Sequence, residues 1–376
     1  MSRVAVVGAG IAGLAAAWEL TRAGCDVTVL ESERRPGGMI VTERRDGFVI
    51  EGGPDGFLAA EPEIPELAGE LGLADQLMGQ SARGAFLWNG AALEPLEEGR
   101  AAGLLLIDAR VTDIAAGFRS FAGGMGDLVT ALATRLDVGA RHGVPLPRPG
   151  LHLAQGVTGL APTPAGWRVA LTGGSTHDAD GVVLALPAYA AGRMLEAVGV
   201  SGARALGDVV YAPSTTVSLA YRAEQMGRAL EGTGFVVAPD VVGARHAVPL
   251  QRAVPLHIRA CTFASSKFPG RAPEGHVLLR AFVDAADGDP AALAHTQLST
   301  ILGIRGAPLW SRAFHWVRGL PRYPAHHAER LAAVRARLVR LAPLAIAGAG
   351  FDGAGVSACV RSGREAARAV LRRLGH

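Results

Sequence analysis

The sequence predicts an α/β protein built from two unlike sheets, and three observations carry that prediction. A strand–helix–strand unit opens the chain with glycines at 8, 10 and 13. The apolar runs of residues 214–283 are broken by Gly, Pro and charge. A strand and a long helix of the opening kind return at the end. The opening unit is Arg3–Val7, short and β-branched, then Ile11–Arg22, alanine-rich with helical character, then Asp26–Leu30, β-branched again. Further strands are expected at 151–155, 167–171 and 181–186, and helices at 125–136 and 189–198. The runs 216–220, 234–238, 258–263 and 277–282 suit an antiparallel sheet, and therefore a second domain. Helices at 291–302 and 328–341, a strand at 344–347 and the helix Val356–Leu374 complete the chain, the last two returning to the first domain. Residues 142–150, with three prolines, are the best linker candidate.

A chain of 376 residues has room for two or three domains and a large core. Its 49% hydrophobic and 19% charged residues exclude disorder over the whole length. Of 37 basic residues a single one, Lys267, is lysine; together with 50 glycines this reads as base-composition bias, so the basic balance is discounted. A net charge of +3 with scattered arginines makes no footprint for nucleic acid. Cys25, Cys261 and Cys359 are odd in number, far apart and without metal spacing, as isolated thiols in a reducing compartment would be. Residues 1–17 imitate a secretory leader, but a leader has no reason to carry spaced glycines and a following strand. No uncharged apolar run is long enough to cross a bilayer. The expected location is the cytoplasm, with contact at a membrane surface left open.

Gly8-Ala9-Gly10-Ile11-Ala12-Gly13 lies where strand meets helix. There the first glycine turns tightly, the second lets backbone approach a pyrophosphate, and the third lets helix pack on strand. Glu31, at the end of the second strand, can accept hydrogen bonds from ribose hydroxyls, which argues against a 2′-phosphate. NAD and FAD share this unit, and the next residues choose between them. Glu33-Arg34-Arg35-Pro36-Gly37-Gly38-Met39 and the glycine-rich 47–56 segment supply backbone for an extended flavin dinucleotide. Ser32, Arg35, Gly38 and Met39 are therefore candidate cofactor contacts. At the other end, residues 348–356 (GAGFDGAGV) lie between a strand and the terminal helix, so helix N-terminal amides would face the same crevice.

With these residues assembled, the chain resembles the protoporphyrinogen and coproporphyrinogen oxidases, a branch of the flavin amine oxidase superfamily. The likeness is nearly end to end. It rests on the glycine fingerprint, Gly53-Pro54-Asp55-Gly56, residues 118–125 (FRSFAGGM), Ala185-Leu186-Pro187, 265–273 (SSKFPGRAP), 316–323 (WVRGLPRY) and 355–363 (GVSACVRSG). The resemblance implies non-covalent FAD in a discontinuous Rossmann-like domain, with a mixed or antiparallel sheet as substrate domain. It implies boundaries at 1–82, 118–200 and 316–376 for the FAD-binding domain, 83–117 for a shortened helical segment and 201–315 for the substrate domain. By position it places Gly8 to Gly13, Glu31, Met39, Gly53, Pro54, Asp55, Gly56, Val157, Trp316, Ala354, Gly355 and Val356 against FAD.

The implied activity is stepwise oxidation of a porphyrinogen, with hydride passing to flavin and dioxygen as acceptor. Such a site needs an apolar slot and an arginine or two for propionates, so no catalytic acid or base is named. Phe268 and Arg83 are candidate substrate contacts, by stacking and by carboxylate pairing. His326 and His327, adjacent in sequence, point apart and are not read as ligands. The chain departs from the pattern where only residues 96–117 stand in place of a larger helical segment. Arg322 also replaces a common glutamine and Ala358 a common acid. Oxidation of an amine or alkene in secondary metabolism, or a binding protein that has lost turnover on the same fold, are the alternatives. The oligomeric state is left open.

Overall fold

The computed structural model describes residues 1–97, 100–104, 111–137, 150–239, 241, 257–284 and 288–376. The first sheet has five strands, all parallel, in the order Gly150–His152, Asp26–Leu30, Arg3–Val7, Gly181–Leu184 and Leu344–Ile346. Segments from both ends of the chain thus meet in one sheet. Parallel strands covered on both faces read as unbroken apolar runs, and here Val4, Ala5, Val6, Val27, Val29, Val182, Val183 and Leu184 are all buried. One face carries the helices Ile11–Arg22, Gly126–Asp137 and Val356–Leu374. The other carries Ala188–Ala197, His327–Leu338 and a three-stranded antiparallel sheet of Val157–Thr163, Gly166–Leu171 and Thr176–Ala179.

Small residues set how closely the first and last helices approach. A Cβ on Gly363 would overlap the backbone of Ala12, so the two helices touch main chain to main chain. They run side by side in the same direction, with Arg368 Nε donating to Glu19 Oε1 at 2.7 Å further along. The terminal helix begins at Val356 and meets Ala12 only at Gly363. Its first two turns, about 10 Å at ~1.5 Å per residue, therefore project past the start of the first helix.

The second sheet has seven strands in the order Trp310–Arg322, Val210–Arg222, His276–Val283, Ile258–Phe263, Gly234–Val237, Ala85–Trp88 and Leu93–Leu96. Every pair is antiparallel except Gly234–Val237 with Ala85–Trp88. The helix Pro290–Leu302 covers one face, over Val217, Leu219, Tyr221 and Leu279. It starts in the favoured way, with Pro290 in first position and Asp289 Oδ1 accepting from the Ala291 amide at 2.9 Å. The opposite face holds the hairpin Thr42–Arg45 and Phe48–Glu51 through Phe48, Ile50, Ala220, Leu278 and Phe314. That hairpin joins the two sheets, and the residues leaving it form the site.

The structure goes beyond the sequence expectation at this hairpin, at Ala85–Trp88 with Leu93–Leu96, and at the strands flanking Gly166–Leu171. Thr42–Arg45 reads TERR, three of its four residues charged and none of them apolar, so periodicity gives no warning of a strand. Of the expected linker, residues 142–149 lie outside the described residues, and Gly150 already opens a strand. Within residues 96–117 the described part includes two short helices, Arg100–Leu104 and Val111–Ala115.

Candidate functional site

Gly8 leaves the first strand at φ +101°, a conformation that costs glycine little, and a Cβ there would strike the Ala185 carbonyl. A Cβ on Gly13 would overlap the Gly8 carbonyl oxygen, so the helix can rest on the turn only with glycine present. Gly10 differs: nothing lies within 4 Å of where its Cβ would stand. The same is true of Gly355. Each of these two glycines caps a helix without any side-chain acceptor for the first amides. Two helix starts with unclaimed N–H groups and empty side-chain space are what an anionic, extended cofactor requires.

Three turns connect these helix starts. Gly37 N donates to Ala9 O at 2.7 Å, and the ideal Cβ position of Gly38 lies 3.3 Å from Gly10 Cα. Arg35 braces its own turn, its Nη2 donating to Gly38 O at 2.6 Å. Gly53 then packs on Met39, where a Cβ would overlap the Met39 carbonyl. Trp316 Nε1 donates to Gly52 O at 2.8 Å, fixing the far side of that turn to the second sheet. The 348–355 loop closes over the other side. Gly348 N donates to Ser362 Oγ at 3.0 Å, and Asp352 accepts from Ser362 Oγ at 2.6 Å and from Arg335 at 2.7 Å. Ala354 and Gly355 stay exposed at its tip while Val356 is buried.

Glu31 stands at the end of its strand with its carboxylate held open toward the turn. Oε2 accepts from the Ala9 amide at 2.7 Å, and Oε1 from the Glu33 amide at 2.9 Å and the Ser32 hydroxyl at 3.2 Å. Gln155 N donates to Glu31 O at 2.7 Å, which brings Val157 alongside, half-buried against the Val7 and Leu30 cluster. Glu31 and the Gly37–Gly38 turn adjoin the opening turn, Gly53 and Trp316 follow on from Met39, and the terminal helix adjoins Ala12; these residues fit an FAD.

Of the two candidate substrate contacts, one is buried beside the 52–56 turn and the other is exposed. Phe268 is 1% exposed, its ring beside Lys267 Nζ at 5.1 Å and Arg271 Cζ at 5.5 Å, and it fills the space next to Gly56. Arg83 is exposed and donates to the Ala115 carbonyl at 3.1 Å, tying a short helix to its loop.

Sequence reasoning named Asp55 but missed Glu51, Lys267, Arg271 and Arg280, the charged residues packed around the 52–56 turn. Lys267 Nζ donates to both Asp55 oxygens, at 3.1 and 3.0 Å. Arg271 Nη2 donates to Ser120 Oγ at 2.6 Å and lies 3.6 Å from Glu51 Oε1, and Arg280 Nη2 donates to Gly53 O. Glu51 accepts from Thr42 Oγ1 at 2.7 Å and Met125 N at 2.8 Å. Burial pushes the Glu51 carboxyl up, against those hydrogen bonds and Arg271. Burial works the same way on Asp55, but Lys267 and Arg280 outweigh it and hold that carboxyl below the usual range. Two signals were available: a lone lysine among so many arginines, and an arginine inside the apolar strand HVLLRAFV.

Comparison with known proteins gives the family. The chain is 27% identical to the coproporphyrinogen III oxidase of Propionibacterium freudenreichii, over 97% of this chain and 90% of that one. It is 25% identical to the coproporphyrinogen III oxidase of Bacillus subtilis, over 98% and 97%. The first alignment spans 507 positions against the 376 residues here, so a large part of it has no counterpart in this chain. A solved structure from Exiguobacterium sp. 255-15, described as a protoporphyrinogen oxidase, superposes with a TM-score of 0.76 at 22% identity, covering 100% and 99% of the two chains. The sequence model for flavin containing amine oxidoreductases matches residues 11–122 and 86–371. The chain belongs to that family, and is an oxidoreductase whose cofactor is FAD.

Proposed function

We propose that this protein oxidises a reduced tetrapyrrole of the coproporphyrinogen or protoporphyrinogen type, with dioxygen as the electron acceptor. The observation that carries this reading is the near end-to-end likeness to two coproporphyrinogen III oxidases. The surface beside the 52–56 turn supports it. From Trp316 the strands Val210–Arg222 and Trp310–Arg322 run outward, and Val210 and Leu320, 62% and 53% exposed, lie along them, an apolar wall suited to a flat ring. Arg322 pairs in register with Val210, which puts a cation at the rim where a carboxylate would sit.

FAD, when bound, accepts a hydride and returns the electrons to an acceptor. The chain's part is to hold and orient: helix-start amides and Glu31 for the dinucleotide, the glycine turns for its length, the apolar wall for the ring. Anaerobic mixing of the yellow protein with coproporphyrinogen III should bleach the 450 nm region (roughly where oxidised flavins absorb), and air should restore it with oxygen uptake. Absence of bleaching with both porphyrinogens, together with peroxide release from an amine panel, would replace this reading with amine oxidation.

A further inference from the structure

The 52–56 turn covers an uneven set of charges. Lys267, Arg271 and Arg280 are each more than nine-tenths buried, and they face two carboxylates, Glu51 and Asp55. Three cations against two anions leave a positive excess, and the hydrophobic surroundings of Glu51 disfavour its charged form and widen that excess. Arg280 displays the imbalance. Its Nη2 is on the Gly53 carbonyl and its guanidinium lies 4.9 Å from the Phe282 ring, but its Nε is buried with no partner. An uncompensated buried cation is costly unless a counter-charge comes to it.

Lys267 is the second clue. Compositional pressure has made every other basic residue of the chain arginine, yet lysine stands here. An ammonium is a compact point charge, and this one reaches both Asp55 oxygens while seated between the rings of Phe118 and Phe268, at 4.6 and 5.1 Å. A planar guanidinium asks for a different, wider seat.

We infer that Lys267, with Arg280 behind the Gly53 carbonyl, is a positioning residue that supplies a fixed positive field to the flavin end of the cofactor site and so favours the reduced cofactor. Hydride transfer delivers two electrons and one proton, which leaves one net negative charge on the acceptor. A cation already in place beneath the turn stabilises that charge without reorganising. The turn itself lies between the Met39 carbonyl on one side and the Arg280 guanidinium on the other.

The test reads the flavin and needs no substrate, so its result stands apart from the identity of the tetrapyrrole. Holoprotein is reduced anaerobically with a reference dye of matched potential, and the ratio of reduced to oxidised flavin is taken from absorbance. Lys267→Met should lower that ratio about tenfold, which is about 30 mV for a two-electron couple. Asp55→Asn should raise it, the double variant should return to within about threefold of the parent, and Lys267→Arg should stay near the parent. Should Lys267→Met lose FAD, Lys267→Gln and Asp55→Asn carry the same two signs. Parent-like ratios in both single variants, or shifts of the same sign in both, overturn the inference.

Discussion

The opening turn and the 52–56 turn both bring main chain to the same crevice, yet they are built in opposite ways. At the opening turn nothing lies within 4 Å of where a Gly10 side chain would begin and no side chain caps the helix, so the site is made of what is left out. At the 52–56 turn five charged side chains are packed, drawn from the hairpin, from the turn itself and from two segments of the second domain. One region recognises by exposing backbone, the other by burying charge.

Substitutions should separate the two. The largest effect is expected at Gly13→Ala, where the new Cβ overlaps the Gly8 carbonyl. Flavin retention should vanish and the melting temperature fall sharply, as the ratio of flavin to protein absorbance and a thermal scan will show. Glu31→Ala leaves the Ala9 and Glu33 amides without their acceptor. At about 1.5–3 kcal/mol for a hydrogen bond to a charged group, FAD affinity measured by titration of apoprotein should fall between about tenfold and a hundredfold.

Gly10→Ala sharpens the contrast further. Its Cβ meets no protein atom, so the apoprotein should melt as before while FAD binding weakens about tenfold, close to 1.4 kcal/mol. Equal losses in apoprotein stability and in FAD affinity would mean that Gly10 serves the fold and not the crevice. Asp289→Ala is the counter-example: that helix is capped by its own side chain, so the change should cost about 1 kcal/mol of stability and leave flavin affinity alone.

The smallest effect lies far from both turns. His177 is 5% exposed with neither ring nitrogen partnered, and burial, with Arg3 and His152 adding to it, holds its pKa below the ordinary 6.5. A base whose folded pKa is depressed takes up its proton more readily when unfolded. Its stabilising contribution is therefore full above pH ~6.5 and is lost as the pH falls below that value. The melting temperature should drop between pH 7.5 and 5.5 (a window placed roughly around the ordinary histidine pKa), and His177→Phe should flatten that slope.

How much could be read in advance follows from how local each feature is. The parallel sheet was legible because its first two strands are short, mostly buried and rich in valine, and because Gly13 answers a steric demand from Gly8, only a few residues before it. The Thr42–Arg45 strand was not legible, since its charged residues are satisfied by distant partners: Arg44 by the Gly123 carbonyl and Glu43 by Arg312. Phe268 was singled out as an aromatic in a motif, but an aromatic carries no mark of whether it faces a cavity or a core. The structure puts it in the core.

By itself the sequence determined the opening strand–turn–helix and, with it, the kind of cofactor, because glycine spacing and a helix start act over a few residues, and main-chain geometry there leaves little choice. Only the tertiary structure decided the charge behind the second turn. Lys267 and Asp55 are 212 residues apart and Arg280 and Gly53 227 apart, and the low dielectric that gives those charges their force exists only once both sheets have closed around them.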